Sequence, residues 1–341
     1  MKFPLYKNDK KPSVFLNENQ KEKIYTLIEQ VEKGNLKLIK NNCLCGNTSP
    51  LDDVAIAEKD RFGIPIRNLI CSKCGLVRSE EIFDKDSNID FYKEYYRDIY
   101  VGKEIPGEDF FRDQQQRGEV FLSILSRFID LSEANLVAEI GCGAGGILYP
   151  FFLKGASCIG VDYNENYLAF GRKKGLELLL GDYHEKIRNE SVSILILSHV
   201  MEHFTEPIKE LQDIIEKLVP EGYLLVEVPG IFYIGKVYLN PILYLQSAHV
   251  FNYYYYYLNV FFNKIGLKEV YGDERCTFIL QKPKNWKKNK IDSIYNEKMQ
   301  IYPKKIEHFI KKVHFLYKFS LSPFIWRNRM IKLLKFFKLK K

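Results

Sequence analysis

Three side chains able to move protons or hold a metal crowd into six residues, Ser198-His199-Val200-Met201-Glu202-His203. His199, Glu202 and His203 stand at i, i+3 and i+4, so a helix starting here would present all three on one face. Two kinds of chemistry suit them. A histidine titrates near neutral pH and can take a proton from an acceptor hydroxyl. Alternatively, the cluster can bind a divalent cation that makes such a hydroxyl more acidic. A third reading is local, with Glu202 and His203 capping the helix and hydrogen-bonding their neighbours.

A second chemical group is made of thiols. Cys43-Leu44-Cys45-Gly46 and Cys71-Ser72-Lys73-Cys74-Gly75 are two close pairs, with twenty-five residues between Cys45 and Cys71. Two pairs flanking a hairpin-sized insert suit a tetrahedral zinc ion bound by Cys43, Cys45, Cys71 and Cys74. Protein would fill all four positions, so such an ion is structural. The first pair is one residue tighter than the common CxxC, and plain thiols are the other option. A core this small needs a staple of that kind.

The elements that must carry the first cluster are strands. Asn135 to Ile140 has the character of a buried parallel strand, and Gly141, Gly143 and Gly145 follow in a turn that can approach a ligand closely. Ala156 to Asp162 is a second apolar strand ending in an acid that can accept both hydroxyls of a ribose. Leu178 to Asp182 ends in another acid. Three such strand ends line one edge of an open sheet, where ligands of these sheets bind. Val192 to Leu197 is the fourth strand and runs into the histidine cluster. Tyr223 to Pro229 is the fifth, with Glu227 and Pro229 at the ligand edge. Pro220-Glu221-Gly222 reads as the turn before it. Gly266 to Val270 and Phe278 to Lys282 form a closing antiparallel pair, and helices are expected over 109–129, 164–174 and 208–219. Dinucleotide enzymes use a similar glycine turn, so that alternative stands on the turn alone.

With these motifs in order, the chain resembles the class I S-adenosylmethionine-dependent methyltransferases. The match runs through Glu139-Ile140-Gly141-Cys142-Gly143-Ala144-Gly145, Gly160-Val161-Asp162-Tyr163, Gly181-Asp182, Ser198 to His203 and Leu218 to Leu224. The resemblance implies an α/β fold, a Rossmann-like seven-stranded sheet. It places S-adenosylmethionine against Glu139, Gly141, Gly143, Asp162, Tyr163, Asp182 and Ser198. Gly141 and Gly143 would meet the methionine part, Asp162 the ribose and Asp182 the adenine amine, while the turn at Ser198 closes over the methyl. Gln114, Gln115 and Arg117 are placed to reach the cofactor's carboxylate.

A zinc module ahead of such a domain resembles the sugar C-methyltransferase group and related enzymes of surface-polysaccharide and deoxysugar synthesis. The long extra α/β domain of the C-methylating members has no counterpart after residue 283, which favours O- or N-methylation. The histidine cluster is also similar to the Glu-x-x-Glu-His motif of metal-dependent small-RNA 2′-O-methyltransferases and ubiquinone-pathway O-methyltransferases, with His199 in place of the first Glu. By that likeness His249 completes the set His199, Glu202, His203 and His249. No Asn/Asp-Pro-Pro-Tyr/Phe follows the fourth strand, which argues against methylation of a base amine.

The remaining segments give the organisation: a helical segment over 1–40, the zinc module over 41–85, a tyrosine-rich linker or lid over 86–120, the methyltransferase domain over 121–283 and a basic tail over 284–341. Apolar residues over 14–33 have helical spacing. Tyr92, Tyr96 and Tyr100 recur at i, i+4 and i+8, suited either to stacking on a sugar or base or to packing a seam. Gly102 to Gly107 reads as a lid. Five tyrosines in a row, Tyr253 to Tyr257, are too many for one helix face, so some should be exposed or cover the insert over 230–246. The tail holds seventeen Lys/Arg against three Asp/Glu, a net of +14, which leaves −6 for residues 1–283. The basic character therefore belongs to the tail and gives no argument for a nucleic-acid substrate. Its apolar residues from Ile306 to Tyr317 and from Trp326 to Phe337 could lie on an anionic membrane surface, dock on the protein or join copies of the chain. No run of eighteen apolar residues and no signal peptide is visible, so a cytoplasmic chain with reduced thiols is expected. The expected activity is methyl transfer to a sugar, as a nucleotide sugar or lipid-linked glycan. The alternatives are an RNA 2′-O-methyltransferase and a non-catalytic cofactor-binding protein.

Overall fold

The computed structural model describes residues 4–47, 50–100, 102, 106–131, 135–238 and 240–319. They form two compact units that do not follow chain order. One comprises residues 1–88, 229–254 and 295–341, the other 89–228 and 255–294.

The first unit is built on small antiparallel sheets. β1 (Leu38–Lys40) pairs with β5 (Glu81–Phe83), and β2 (Val54–Lys59), β3 (Pro65–Ile70), β4 (Val77–Ser79) and β11 (Phe251–Asn252) form a second sheet in the order β11-β4-β3-β2. A helix over Glu18–Glu32 opens with a capping box, Asn17 accepting from the Gln20 amide while Gln20 reaches back to the Asn17 amide, and it buries Ile24 and Leu27. The sequence reading placed 229–254 in the methyltransferase domain and 284–341 in a separate basic amphipathic tail. Packing joins 229–254 and the helix Tyr302–Lys318 to the cysteine module instead. Ile306, Ile310 and Val313 are buried along that helix. Phe309 meets Phe232 edge-on at 5.2 Å, and Tyr302 stacks on Tyr254 at 4.4 Å. Gly75 lets this happen: a Cβ there would lie 2.9 Å from the Tyr302 backbone, and its φ of +81° suits glycine. The docking alternative thus describes the first amphipathic run, while Trp326 to Phe337 lies outside the described residues. Among those residues no helix is long and apolar enough to cross a membrane.

The second unit holds a seven-stranded sheet. Its strands are β6 (Val137–Ile140), β7 (Cys158–Asp162), β8 (Glu177–Leu180), β9 (Val192–Ser198), β10 (Leu218–Glu227), β12 (Lys268–Gly272) and β13 (Thr277–Gln281), in the order β12-β13-β10-β9-β6-β7-β8. β10, β9, β6, β7 and β8 run parallel, and β13 is antiparallel to both its neighbours. β6 and β9 are buried throughout apart from Ser193, as strands covered on both faces must be. Helices over Glu108–Leu125, Glu165–Arg172 and Pro207–Ile215 accompany the sheet. This is the expected α/β arrangement.

One local expectation is corrected. Pro220-Glu221-Gly222 is not a turn ahead of the fifth strand but a bulge inside β10, where the pairing with β9 shifts register between Leu218 and Tyr223. None of the five tyrosines is exposed: Tyr253, Tyr254 and Tyr257 are buried and Tyr255 and Tyr256 half-buried. The chain passes from one unit to the other between Tyr254 and Tyr255, so the rings are shared between two cores. The lid over 102–107 lies largely outside the described residues.

Candidate active site and thiol centre

In the second unit the parallel strands end at one edge. β6 delivers Glu139 and then the glycine turn, whose Gly141 and Gly143 have φ of +72° and +54°. β7 delivers Asp162, almost fully buried. The Gly143 amide donates to its Oδ2 at 2.9 Å and the Asn164 amide to its Oδ1 at 2.9 Å. A third donor was not foreseen: Nη2 of Arg97 lies 3.0 Å from Oδ1 and 3.1 Å from Oδ2. Sixty-five residues separate the two, and no spacing rule could have joined them. Arg97 also lies over the Tyr167 ring, 4.5 Å from its centroid. Burial pulls its pKa down, but the Asp162 charge, Tyr96, Tyr167 and the hydrogen bond to Asp162 together shift it upward.

Glu139 is 1% exposed, and its Oε2 has no hydrogen-bond partner. Burial, reinforced by the Asp162 charge and opposed by Arg117, pushes its carboxyl well above the usual range. A buried acid with an orphaned oxygen fits a cationic amine such as the amino group of S-adenosylmethionine. Gln114 offers a second orphaned oxygen, Oε1, and its carboxamide lies against Gly143, 3.3 Å from where a Cβ would stand. Asp182 caps the short helix Tyr183–Lys186, accepting from the His184 amide at 2.9 Å, and Tyr163 is largely exposed on the rim.

β9 and β10 end side by side and carry a charged network. Ser198 Oγ donates to Glu227 Oε2 at 3.4 Å, and Arg117 reaches both, Nη1 to Ser198 Oγ at 3.4 Å and Nε to Glu227 Oε2 at 3.6 Å. No helix begins at Ser198. His199 takes a left-handed φ of +56°, unusual for a residue with a Cβ, and a single 3₁₀ turn follows over Met201–His203. The shared helix face is therefore not formed, but His199 and Glu202 still meet. His199 Nδ1 lies 3.2 Å from Glu202 Oε1, and Nε2 lies 3.7 Å from Glu227 Oε2. The backbone twist turns the imidazole between two carboxylates. His203 instead faces aromatic rings, edge-on to Tyr96 at 5.6 Å and to Tyr92 at 6.1 Å. Tyr92–Tyr96 is a π-helical turn followed by a helix over Arg97–Tyr100. Tyr92 lies 4.9 Å from Tyr96, which stacks on Tyr100 at 4.9 Å. Burial, then Tyr96, Tyr100 and Glu202, raise the Tyr92 hydroxyl well above its ordinary value. His249 belongs to the other unit, in the turn before β11, where its carbonyl accepts from Ser79 Oγ at 3.3 Å.

The stretch holding these strand ends, residues 138–226, matches a family model described as a methyltransferase domain. The second unit therefore carries a methyltransferase domain. S-adenosylmethionine is the methyl donor that this family match supports. Among solved structures, the chain is similar to an S-adenosylmethionine-dependent methyltransferase from Thermotoga maritima, at 18% identity, over 55% of this chain and 98% of that one, with a TM-score of 0.42. It is also similar to one from Archaeoglobus fulgidus, at 21% identity over 60% and 93% of the two chains, with a TM-score of 0.38. No curated protein matches it.

The methyltransferase's other unit brings its four paired cysteines together. Cys43 Sγ lies 3.4 Å from Cys45 and 3.5 Å from Cys74, and Cys45 lies 3.5 Å from Cys71. A disulfide needs about 2.05 Å between sulfurs, whereas four thiolates on one zinc at about 2.3 Å stand roughly 3.8 Å apart. The cluster therefore fits a tetrahedral ion. The thiols differ in acidity: hydrogen bonds from Cys43, Cys45 and Cys74 hold Cys71 far below the ordinary thiol range, and burial pushes Cys74 above it. Asn47 Nδ2 donates to Cys71 Sγ at 3.5 Å and to Asp53 Oδ1 at 3.1 Å. Asp53 also accepts from the Ser72 amide at 2.8 Å and pairs with buried Arg78 at 2.9 Å, while Arg78 Nε donates to the Asn41 carbonyl. Sequence reading paired the four cysteines but did not foresee this second layer of support.

Proposed function

We propose that this methyltransferase transfers a methyl group to a hydroxyl or amine of a sugar, carried as a nucleotide sugar or a lipid-linked glycan intermediate of surface-polysaccharide or related synthesis. The observation that supports the reading is the ladder of Tyr92, Tyr96 and Tyr100 beside His203. Stacked phenol rings offer apolar faces to a pyranose and hydroxyls to its oxygens. S-adenosylmethionine supplies an activated methyl on a sulfonium. The acceptor atom attacks that methyl in line, the C–S bond breaks, its electron pair stays on sulfur, and the acceptor's proton must leave. Positioning and proton removal are then the protein's work. Both His199 nitrogens face carboxylates, so we assign the proton to His203 and give Glu202 and Glu227 the task of holding His199. Glu139, Gly141, Gly143, Asp162, Asp182 and Ser198 hold the donor. Cys43, Cys45, Cys71 and Cys74 hold a structural zinc.

The test uses S-adenosylmethionine labelled in its methyl group. The purified protein is incubated with extract from cells lacking the gene, which is then separated into small anionic metabolites, lipid-linked glycans and RNA. Label in either sugar-bearing fraction is expected. Label in RNA would overturn the acceptor assignment.

A further inference from the structure

We propose that Arg97 is a counter-ligand of the donor site. Its guanidinium occupies the fork of the Asp162 carboxylate that a ribose diol would take, so the methyl donor binds by expelling it, and this releases the tyrosine ladder carried on the same segment. The inference rests on the reading of Asp162 as the ribose acid.

A carboxylate has about four lone-pair sites. On Asp162 the Gly143 amide takes one on Oδ2 and the Asn164 amide one on Oδ1. The remaining pair faces Arg97, where one nitrogen, Nη2, lies 3.0 Å from one oxygen and 3.1 Å from the other. A nitrogen nearly equidistant from both oxygens lies close to their bisector. A vicinal diol binding side-on needs one lone pair from each oxygen, and these are the same two. The two ligands therefore exclude each other at Asp162. Arg97 can leave at modest cost, because its side chain is 27% exposed and can turn toward water. It directly follows the π-helical turn Tyr92–Tyr96 and precedes Tyr100, so its contact with Asp162 tethers the ladder's segment to the end of β7, and losing the contact frees that segment. Single π-helical turns are frequent at functional sites. Loading the donor would in this way reset the acceptor wall.

Calorimetric titration with S-adenosylmethionine tests this on the full chain, using wild type, Arg97→Met, Asp162→Asn and the double variant, with Arg97→Gln as a second removal should Arg97→Met fold poorly. Removing the guanidinium should tighten binding about three- to five-fold, the scale a partly exposed ion pair can impose. Asp162→Asn should weaken binding, and Arg97→Met should add little in that background. Hydrogen exchange over residues 91–100 should quicken when the donor is added to wild type and stay unchanged in Arg97→Met. Weaker or equal binding by both Arg97 variants, with Asp162→Asn still impaired, would show that Arg97 is no competitor and overturn the proposal alone. Undiminished binding by Asp162→Asn would overturn the ribose assignment and the proposal with it.

Discussion

At the scale of single residues, the site is marked by polar groups that the fold leaves in debt. Glu139 is the strongest case, a fully buried acid with an oxygen that no protein group satisfies. Its raised pKa gives a stability prediction with a definite sign. The unfolded chain loses this proton near pH 4.5, while the folded chain keeps it to higher pH. Stability is thus fully present below about pH 4.5 and is lost as pH rises toward the folded value, at about 1.4 kcal/mol per pH unit where the two states differ by one proton. Glu139→Gln removes the titration. Thermal melts should show the variant more stable than wild type at pH 8, with the gap closing toward pH 4.5, and donor binding weakened. A variant that is less stable at pH 8 would mean that Glu139 is held ionised by partners in the fold. Asp162 and Glu139 were legible in the sequence because each ends an apolar strand. Arg97 was not, because long-range ion pairs leave no trace in spacing.

At the scale of elements, strands were read more faithfully than the segments joining them. β6, β7 and β9 announce themselves as apolar runs closed by glycine or an acid. The stretch after β9 does not: the helical spacing of His199, Glu202 and His203 is real, but the left-handed turn at His199 overrides it. The tyrosine segment likewise keeps its i, i+4 ring contacts, tilted between Tyr92 and Tyr96 and stacked between Tyr96 and Tyr100, while adopting a π-helical turn. In the thiol unit, the loop carrying Cys71 depends on Asp53, which Arg78 neutralises in the interior. Arg78→Met would leave that carboxylate buried and uncompensated, at a cost of about 3–5 kcal/mol. Thermal melts should show that loss, and metal analysis should find less zinc retained against a chelator. Unchanged stability and zinc content would mean that the pair contributes nothing to the loop.

At the scale of the molecule, sequence order and spatial order part company. The cysteine module recruits residues 229–254 and the helix Tyr302–Lys318, both distant in sequence, because its own small sheets leave apolar positions that these segments cover. A linear reading assigns domains by contiguity and misses such returns, although the helical spacing of Ile306, Ile310 and Val313 already indicated a face that must be buried. The methyltransferase unit, by contrast, is nearly contiguous; its strands were legible as apolar runs, and the family resemblance supplied the seven-stranded sheet. The ends of β6 and β7 are proposed to hold the methyl donor. Calorimetric titration of S-adenosylmethionine into wild type and Gly143→Val tests this most directly. At Gly143 the backbone has φ of +54° and Gln114 stands 3.3 Å from any added Cβ, so a branched side chain would be strained and would intrude on the loop. One-to-one binding by wild type, lost in a Gly143→Val protein that still melts cooperatively, is the predicted result. Equal binding by the two proteins would place the donor elsewhere and contradict the account.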